Sequence, residues 1–153
     1  MQRKEYAKEK VIGDASKLRV GVIVSRFNSD ITGPMLEGAK ETLRAWKVKD
    51  TNVHVAYVYG SFEIPLACAR LIAKKKLDAV IAIGCIVKGE TRHDEYLAHA
   101  TAEGLMHVAL DSKIPVGFGI ITTNNLAQAK ARSRGSANKG SEAATAALEA
   151  AFV

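Results

Sequence analysis

The residues best suited to chemistry follow a short apolar run near the middle of the chain. Residues 79–83 are apolar and lead into residues 84–96, which hold two glycines, a lysine, a threonine and His93. Such an ending is typical of a buried parallel strand that delivers polar groups to its carboxyl end. A histidine can carry a proton near neutral pH, and loop glycines with the N–H groups of a following helix can hold an anion. The segment predicts acid–base chemistry on a small anionic substrate.

Four apolar, β-branched runs predict the strands that position this segment. They are too continuous for strands with one solvated face, and they favour a parallel sheet covered on both sides: residues 20–24, 53–58, 79–87 and 114–121. Apolar residues at helical spacing separate them, and two helices follow, near residues 125–132 and 138–152. The order β-α-β-α-β-α-β-α-α predicts one doubly wound α/β domain over residues 19–153. Residues 1–18 are polar and irregular, which predicts an arm that is mobile or docks on a neighbour.

Two local features predict where the helices begin. Ser29 or Asp30 is the expected N-cap of the first helix. Pro34 and Pro65 are expected in the first turns of their helices, where a missing N–H costs little. Gly135 is expected to separate the last two helices.

Polar and aromatic side chains collect where the predicted strands end. Phe27 follows the first strand directly, and it is either an apolar plug over the sheet or a platform for a flat heterocycle. Ser61 is more often a helix N-cap than a ligand contact. Glu63 either complements the dipole of its helix or binds the hydroxyls of a sugar-like chain. The coincidence of several such loops at one sheet edge predicts a site there.

Composition disfavours several classes of function. The net charge is +6, but none of the nine Phe, Tyr and Trp residues lies in a basic cluster, as single-stranded nucleic-acid binding would want. No apolar run approaches the ~20 residues of a membrane span, and the start lacks a signal region, which predicts a cytoplasmic protein. Cys68 and Cys85 suit neither a disulfide framework nor a metal site, and Cys85 is more simply a packing residue than a reactive thiol. Glycine-rich ATP or NAD motifs are missing.

From about residue 19 to its end, the chain resembles the 6,7-dimethyl-8-ribityllumazine synthase family. Four signatures occur in order: Arg26-Phe27-Asn28, Gly60-Ser61-Phe62-Glu63-Ile64-Pro65, residues 84–96 with their Gly-Glu-Thr-x-His core, and Asn138-Lys139-Gly140-x-Glu142-Ala143-Ala144. The resemblance implies a flavodoxin-like three-layer sandwich with a four-stranded parallel sheet. It also implies the penultimate step of riboflavin biosynthesis, in which 5-amino-6-ribitylaminouracil condenses with 3,4-dihydroxy-2-butanone 4-phosphate. Phosphate and water leave, and neither a cofactor nor a metal is needed.

The resemblance assigns roles to residues of this chain. For the pyrimidine, it implies that the ring stacks on Phe27. It implies that the ribityl chain contacts Ser61 and Glu63, in a loop that also holds Gly60 and Phe62. It also implies that backbone groups of Ile86, Val87 and Lys88 recognise the edge of the ring. For the phosphate, it implies Glu90, Thr91 and Arg132, with Lys139 and Glu142 in the same region as Arg132. His93 is the implied proton-transfer residue. Phe118 is implied to enter the site of a neighbouring subunit.

The resemblance also carries expectations about assembly. It implies a homo-oligomer of pentamers with active sites between subunits, and hand-off of the product to riboflavin synthase. The connection 133–137 is one residue shorter than the common form, which favours a shell of twelve pentamers, and Arg134 replaces the usual lysine there. Tyr59 stands where a proline is usual, and Asp94 where an aromatic is usual. A non-catalytic flavin- or lumazine-binding protein, or a shell-forming protein, on the same scaffold is the alternative.

Overall fold

A four-stranded parallel sheet forms the centre of the computed structural model, which describes residues 12–153. The strands are β1 Val20–Ser25, β2 Val53–Val58, β3 Ala79–Val87 and β4 Val116–Thr123, in the order β2-β1-β3-β4. The helices are α1 Ser29–Ala45, α2 Ile64–Lys74, α3 His93–Ser112, α4 Leu126–Ala131 and α5 Lys139–Ala151. Single 3-10 turns lie at Asp50–Asn52, Ser61–Glu63 and Gly135–Ala137. The fourth strand begins and ends two residues after its predicted bounds, and the bounds of the other three strands and of the last two helices agree within one residue.

Helices cover both faces of the sheet, and the predicted three-layer α/β fold is confirmed. One core cluster joins α1 and α5 to side chains such as Val22 and Ile81, and a second joins α2 and α3 to side chains such as Ile23 and Ala82. Successive residues of β1 and β3 therefore face opposite helix layers. Since both layers are apolar, these two central strands are apolar without alternation. The edge strand β2 is only partly buried, and its Tyr57 is exposed.

The contact between α1 and α5 depends on glycine and on one asparagine. A Cβ on Gly140 would collide with the backbone carbonyl of Met35, so glycine allows the two helices to meet. Asn138 is the N-cap of α5, and its Oδ1 accepts from the N–H groups of Gly140 at 2.8 Å and Ser141 at 3.3 Å. Its Nδ2 donates to the carbonyl oxygen of Pro34 at 2.9 Å. Asn138 thus caps α5 and fastens it to α1.

The start of α1 differs from the prediction in two respects. The N-cap is Asn28, not Ser29 or Asp30, and its φ of 59° is left-handed, a conformation that asparagine tolerates. Pro34 lies beyond the first turn and removes the N–H that would donate to the carbonyl of Asp30. Arg134 donates to that carbonyl instead, from Nη2 at 3.4 Å. The prediction that Pro34 lies in the first turn was therefore wrong, and a cation from the α4–α5 connection compensates the lost bond.

The predicted arm, residues 1–18, lies only in part within the described residues, because residues 1–11 are outside them. Ala15 is buried against the core, and its N–H donates to the carbonyl oxygen of Trp46 at 2.7 Å. Residues 12–18 thus contact the same chain, and the boundary between arm and domain at residue 19 stays a prediction. Between residues 12 and 153, none of the helices is both long and apolar enough to cross a membrane.

Candidate active site

A cleft of about 430 Å³ opens at the carboxyl end of β3, beside the first turns of α2 and α3. Nine of the predicted site residues line it: Phe27, Gly60, Ser61, Phe62, Glu63, Ile86, Val87, Thr91 and His93. They come from three segments far apart in the chain, which meet because parallel strands end at the same edge of the sheet. The cleft is therefore where the sequence predicts a site.

An aromatic pair forms one side of the cleft. Beyond the ends of β1 and β2, the N–H of Arg26 donates to Val58 at 2.8 Å and the N–H of Phe27 donates to Tyr59 at 2.9 Å. These backbone bonds hold the two aromatic residues side by side, with ring centroids 6.1 Å apart and planes inclined by 45°. Phe27 is 58% exposed, so it is not an apolar plug over the sheet. Its ring is available as a platform for a flat ligand.

The loop that follows β2 is braced by its own carboxylate. Glu63 Oε2 accepts from the backbone N–H of Gly60 at 2.9 Å, which closes the turn Ser61–Glu63. One carboxylate oxygen of Glu63 therefore has a structural role, and the other is left for a ligand or water. Glu63 is also the N-cap position of α2, where its negative charge complements the helix dipole.

Ser61 is not the N-cap that its sequence context suggested. It is the first residue of the 3-10 turn, whose N-cap is Gly60. Its hydroxyl is buried and has no hydrogen-bond partner among the described residues, while its carbonyl accepts from Thr101 Oγ1 at 3.3 Å. A buried hydroxyl without a partner is unfavourable, so the wall of the cleft holds unused hydrogen-bonding capacity at Ser61.

Strand β3 extends past β1 and presents backbone groups to the cleft. Pairing of β1 with β3 ends at Val24 and Ile83, whereas pairing of β3 with β4 continues to Val87. The N–H of Lys88 donates to Thr123 at 2.8 Å, so that residue's amide is engaged by the β4 side. Because successive residues direct their amide groups to opposite sides of a strand, Val87 directs its N–H and C=O away from β4.

Asn28 contacts the same side of β3 at Cys85, two residues before Val87. Its Nδ2 donates to the carbonyl oxygen of Cys85 at 3.1 Å. This bond links the loop after β1 to the edge of β3 that has no strand partner beyond Ile83, and it leaves the backbone groups of Val87 as the next ones along that edge. A planar ligand with N–H and C=O groups along one side could pair with them.

His93 begins α3 at the far wall of the cleft. Its side chain is exposed, and its backbone N–H donates to Thr91 Oγ1 at 3.4 Å. The next residue, Asp94, also lines the cleft, and its Oδ1 is enclosed without a hydrogen-bond partner among residues 12–153. Arg92 and Glu95 form an ion pair at 3.1 Å on the exposed side of the same turn. The histidine is thus accessible to a ligand and lies beside a carboxylate.

The cleft of one chain does not include the other six predicted site residues. Lys88 and Glu90 are exposed in the loop between β3 and α3, and Phe118 is 52% exposed on the edge strand β4. Arg132, Lys139 and Glu142 lie around the connection from α4 to α5. The structure brings these last three together away from the cleft lining.

This second group forms a small charged cluster at the start of α5. The backbone N–H of Lys139 donates to the carbonyl oxygen of Arg132 at 2.8 Å. Arg132 donates through Nη1 to the carbonyl oxygen of Gln128 at 3.0 Å, which leaves further N–H donors of the guanidinium for another partner. The side chains of Lys139 and Glu142 form an ion pair. The cluster is suited to an anion such as a phosphate.

The thiols are poor nucleophiles. Burial, with a smaller contribution from the charge of Asp30, raises the pKa of Cys85 to about 11, and burial raises the pKa of Cys68 to about 12. Both stay protonated near neutral pH, which agrees with the interpretation of Cys85 as a packing residue. Within the part of the chain that the structure describes, no three His, Cys, Asp or Glu side chains are grouped as metal ligands would be.

Sequence reasoning missed several residues of the cleft lining. Asn28 and Tyr59 were not assigned to the site, although both adjoin segments that were. The signal was present in the chain: Asn28 ends the Arg-Phe-Asn signature, and Tyr59 directly precedes the loop of Gly60. Gly89, Asp94 and Leu97 complete the wall near His93.

Comparison with known proteins gives concordant results. A family model described as 6,7-dimethyl-8-ribityllumazine synthase matches residues 17–153. A curated protein from Phocaeicola vulgatus, named 6,7-dimethyl-8-ribityllumazine synthase, is 44% identical over 139 residues, which cover 90% of this chain and 83% of the relative. The residues that the family model matches include all the segments that line the cleft and the charged cluster at α5.

Proposed function

The chain belongs to the 6,7-dimethyl-8-ribityllumazine synthase family, and from that membership we propose that the cleft described above is its active site. The activity is the condensation of 5-amino-6-ribitylaminouracil with 3,4-dihydroxy-2-butanone 4-phosphate, with release of phosphate and water, in riboflavin biosynthesis. One observation carries the assignment of the site: an aromatic platform, a braced loop, a free strand edge and a histidine surround a single cleft.

The pyrimidine substrate fits the part of the cleft between β1 and β3. Its ring stacks on Phe27, whose exposed face is held in place by the backbone bond to Tyr59. Its N–H and C=O edge pairs with the backbone of Val87, which is directed away from β4. The ribityl chain extends along the loop of Gly60, Ser61 and Phe62, where the second carboxylate oxygen of Glu63 has hydrogen-bonding capacity for its hydroxyls. The enclosed Ser61 hydroxyl, which has no partner among the described residues, contributes a hydrogen bond only after its side chain rotates towards the cleft.

The phosphorylated ketone fits the side of His93. The N–H groups at the start of α3 and the hydroxyl of Thr91 are suited to a phosphate, with Lys88 and Glu90 in the same loop. His93 moves the proton as the amine of the pyrimidine forms an imine with the ketone carbonyl, and again as phosphate leaves. Much of the rate enhancement comes from holding two reactants in contact, since a bound pair reacts as one molecule.

The charged cluster of Arg132, Lys139 and Glu142 completes the site from a neighbouring copy of the chain. It does not line the cleft of its own chain, although it is suited to phosphate. Phe118, half-exposed on the edge strand β4, enters the neighbouring site in the same way. A homo-oligomer with active sites between subunits follows from this arrangement. The short connection 133–137 favours a shell of pentamers over an isolated pentamer.

The surroundings of the enzyme are part of the proposal. The protein acts in the cytoplasm and passes its product to riboflavin synthase. A carrier or a purely structural shell on the same scaffold would not need the proton-transfer residue His93 at the cleft wall. The enzyme is therefore preferred to the non-catalytic alternative.

The proposal is tested by mixing the purified protein with the two substrates. Lumazine fluorescence and inorganic phosphate are followed together, and we expect them to appear in equal molar amounts at a rate proportional to protein concentration. Product at no more than the rate of the uncatalysed reaction would refute the enzymatic function.

A further inference from the structure

Tyr59 is the most exposed of the three aromatic side chains that line the cleft. It is 71% exposed, against 58% for Phe27 and 60% for Phe62, and all three side chains line the same cleft. Large aromatic side chains grouped in one exposed patch mark a binding surface more often than chance exposure. Phe27 has a role in the proposed function, whereas the side chain of Tyr59 has none so far.

The backbone fixes the ring of Tyr59 beside that of Phe27. Ser25 and Val58 are partners in the register of β1 and β2, and the next bonds along, from Arg26 to Val58 and from Phe27 to Tyr59, extend the pairing. Both rings are therefore anchored to the rigid sheet rather than to a loose loop. With centroids 6.1 Å apart and planes at 45°, they form a corner with two aromatic faces.

We propose that Tyr59 is a second aromatic contact for the heterocycle, an inference that rests on the proposed function. A flat ring stacked on Phe27 meets the inclined ring of Tyr59 at its side. The 45° inclination lies between stacked and edge-to-face geometry, both of which are favourable for aromatic groups. The contact serves the pyrimidine substrate and the lumazine product, which share the flat ring, and not the aliphatic phosphorylated ketone. Tyr59 thereby sets affinity for one of the two substrates.

Tyr57, on the edge strand β2 and two residues before Tyr59, provides a matched control. It is also an exposed tyrosine, at 56%, but it lines a different cavity beside α1, with Ser29 and Glu37, and not the cleft. Replacing it removes the same kind of exposed side chain two residues away. If replacing Tyr59 weakens ligand binding and replacing Tyr57 does not, the loss is therefore due to the position of Tyr59 in the cleft.

The test compares Tyr59→Ser, Tyr59→Phe and Tyr57→Ser in steady-state kinetics and in binding of the lumazine product followed by its fluorescence. Tyr59→Ser should raise the KM for the pyrimidine and the Kd for the product about three- to tenfold. The KM for the phosphorylated ketone should change less than about twofold. Tyr59→Phe keeps the ring and should behave as the unsubstituted protein, as should Tyr57→Ser.

Three results would overturn the inference. If Tyr59→Ser raised the KM for both substrates equally, Tyr59 would not be selective for the pyrimidine. If Tyr59→Phe weakened binding as much as Tyr59→Ser, the contact would belong to the hydroxyl and not to the ring. A changed assembly mass in Tyr59→Ser with an unchanged product Kd would mean that Tyr59 contacts another subunit. Because product binding is measured without turnover, failure of the proposed enzymatic function would be seen separately, as absence of product formation by the unsubstituted protein.

Discussion

The hydroxyl of Ser61 occupies the space beside Gly84 that a side chain would need. A Cβ built on Gly84 would lie 2.5 Å from Ser61 Oγ, and 3.0 Å and 3.1 Å from methyl groups of Ile120 and Ile64. The loop that we assign to the ribityl chain therefore rests directly on β3, the strand that carries the rest of the cleft. The position of the Ser61 loop therefore depends on the absence of a side chain at Gly84 in β3.

Gly84→Ala should consequently affect both stability and substrate binding. Overpacking of this kind costs about 1–3 kcal/mol, and displacement of Ser61 should raise the KM for the pyrimidine more than that for the phosphorylated ketone. Urea unfolding and steady-state kinetics measure the two effects. In a Ser61→Ala background most of the destabilisation by Gly84→Ala should disappear, since the nearest atom is gone.

Gly33→Ala is the matched control for that substitution. Gly33 lies inside α1, and a Cβ there would meet no atom within 4 Å outside its chain neighbours and the backbone of its own helix. Alanine is the better helix former by roughly 0.5–1 kcal/mol, but Pro34 disfavours a helical conformation for a preceding residue with a Cβ, so this variant should change stability by less than about 1 kcal/mol. If Gly84→Ala were as stable as Gly33→Ala, the packing of Ser61 against β3 would not constrain the loop.

Asn138 should be among the most sensitive polar residues of the fold. It is 6% exposed and makes hydrogen bonds to Gly140, Ser141, Pro34 and Ser133. Asn138→Ala removes a helix cap worth about 1 kcal/mol and leaves two carbonyl oxygens without their donor, so we expect a loss of about 2–4 kcal/mol in urea unfolding.

Asn138→Asp separates the two functions of this side chain. The aspartate keeps an acceptor for the N–H groups of Gly140 and Ser141, but it cannot donate to Pro34 and Ser133. We expect the variant to lose stability as well, because its carboxylate faces two carbonyl oxygens. Stability equal to that of the unsubstituted protein would show that the link between α1 and α5 contributes nothing.

The raised pKa values of the cysteines predict how the protein responds to alkali. The folded state holds both thiol protons more tightly than the unfolded chain, whose cysteines have a pKa near 9.0. The stabilisation is present below that pKa and is lost as the pH rises from about 9 towards 11 and above. Thermal unfolding as a function of pH should show this loss, and a double Cys→Ala variant should lose less over the same interval.

Thiol modification tests the same feature near neutral pH. At pH 8 a pKa of about 11 for Cys85 leaves roughly 100-fold less thiolate than the ordinary value of 9.0. Reaction with an aromatic disulfide should be slow in the folded protein and rapid in urea. Rapid modification of Cys85 in the folded protein would contradict its interpretation as an inert packing residue.

His93→Ala should slow turnover by about tenfold and leave measurable activity, because positioning of the two reactants persists without the proton carrier. The effect should be on kcat more than on either KM. His99→Ala is a matched control, since His99 is exposed on the same helix and does not line the cleft. Unchanged turnover in His93→Ala would exclude it as the proton-transfer residue.

Sequence reasoning predicted well those parts of the fold in which every residue of a segment has the same kind of surroundings. Strands β1 and β3 are buried by helices on both faces, and their unbroken apolar residues indicate this directly. The start of α1 was misplaced because Asn28 adopts a left-handed conformation and uses its side chain on Cys85, 57 residues away. The spacing of apolar residues does not indicate a contact between residues so far apart in the sequence.

The candidate site shows the same division. Phe27, Ser61 and His93 were expected at one edge of the sheet because the carboxyl ends of parallel strands share that edge, and all three line the cleft. The side chain of Tyr59 was missed because its exposure and its contact with Phe27 depend on the register of two strands. Where Arg132 lies relative to the cleft depends on packing around the α4–α5 connection, which the local pattern does not encode.

Under the proposed function, a complete site combines the cleft of one chain with the cluster of Arg132 and Lys139 from another. Arg132→Ala should raise the KM for the phosphorylated ketone at least about tenfold, since it removes a charge-assisted contact to phosphate, and leave the KM for the pyrimidine nearly unchanged. Lys130→Ala, which removes an exposed cation from the helix that ends just before Arg132, is the control.

Activity in mixed assemblies of two impaired variants tests whether the site is shared between chains. Phe27→Asp damages the cleft and Arg132→Ala damages the phosphate cluster; the two chains are co-expressed with different tags and purified through both. If the two halves come from different chains, about a quarter of the sites in a random equal mixture are intact, and activity should rise well above that of either variant alone. Activity no greater than the mean of the two variants would contradict a site shared between chains and place Arg132 in the site of its own chain.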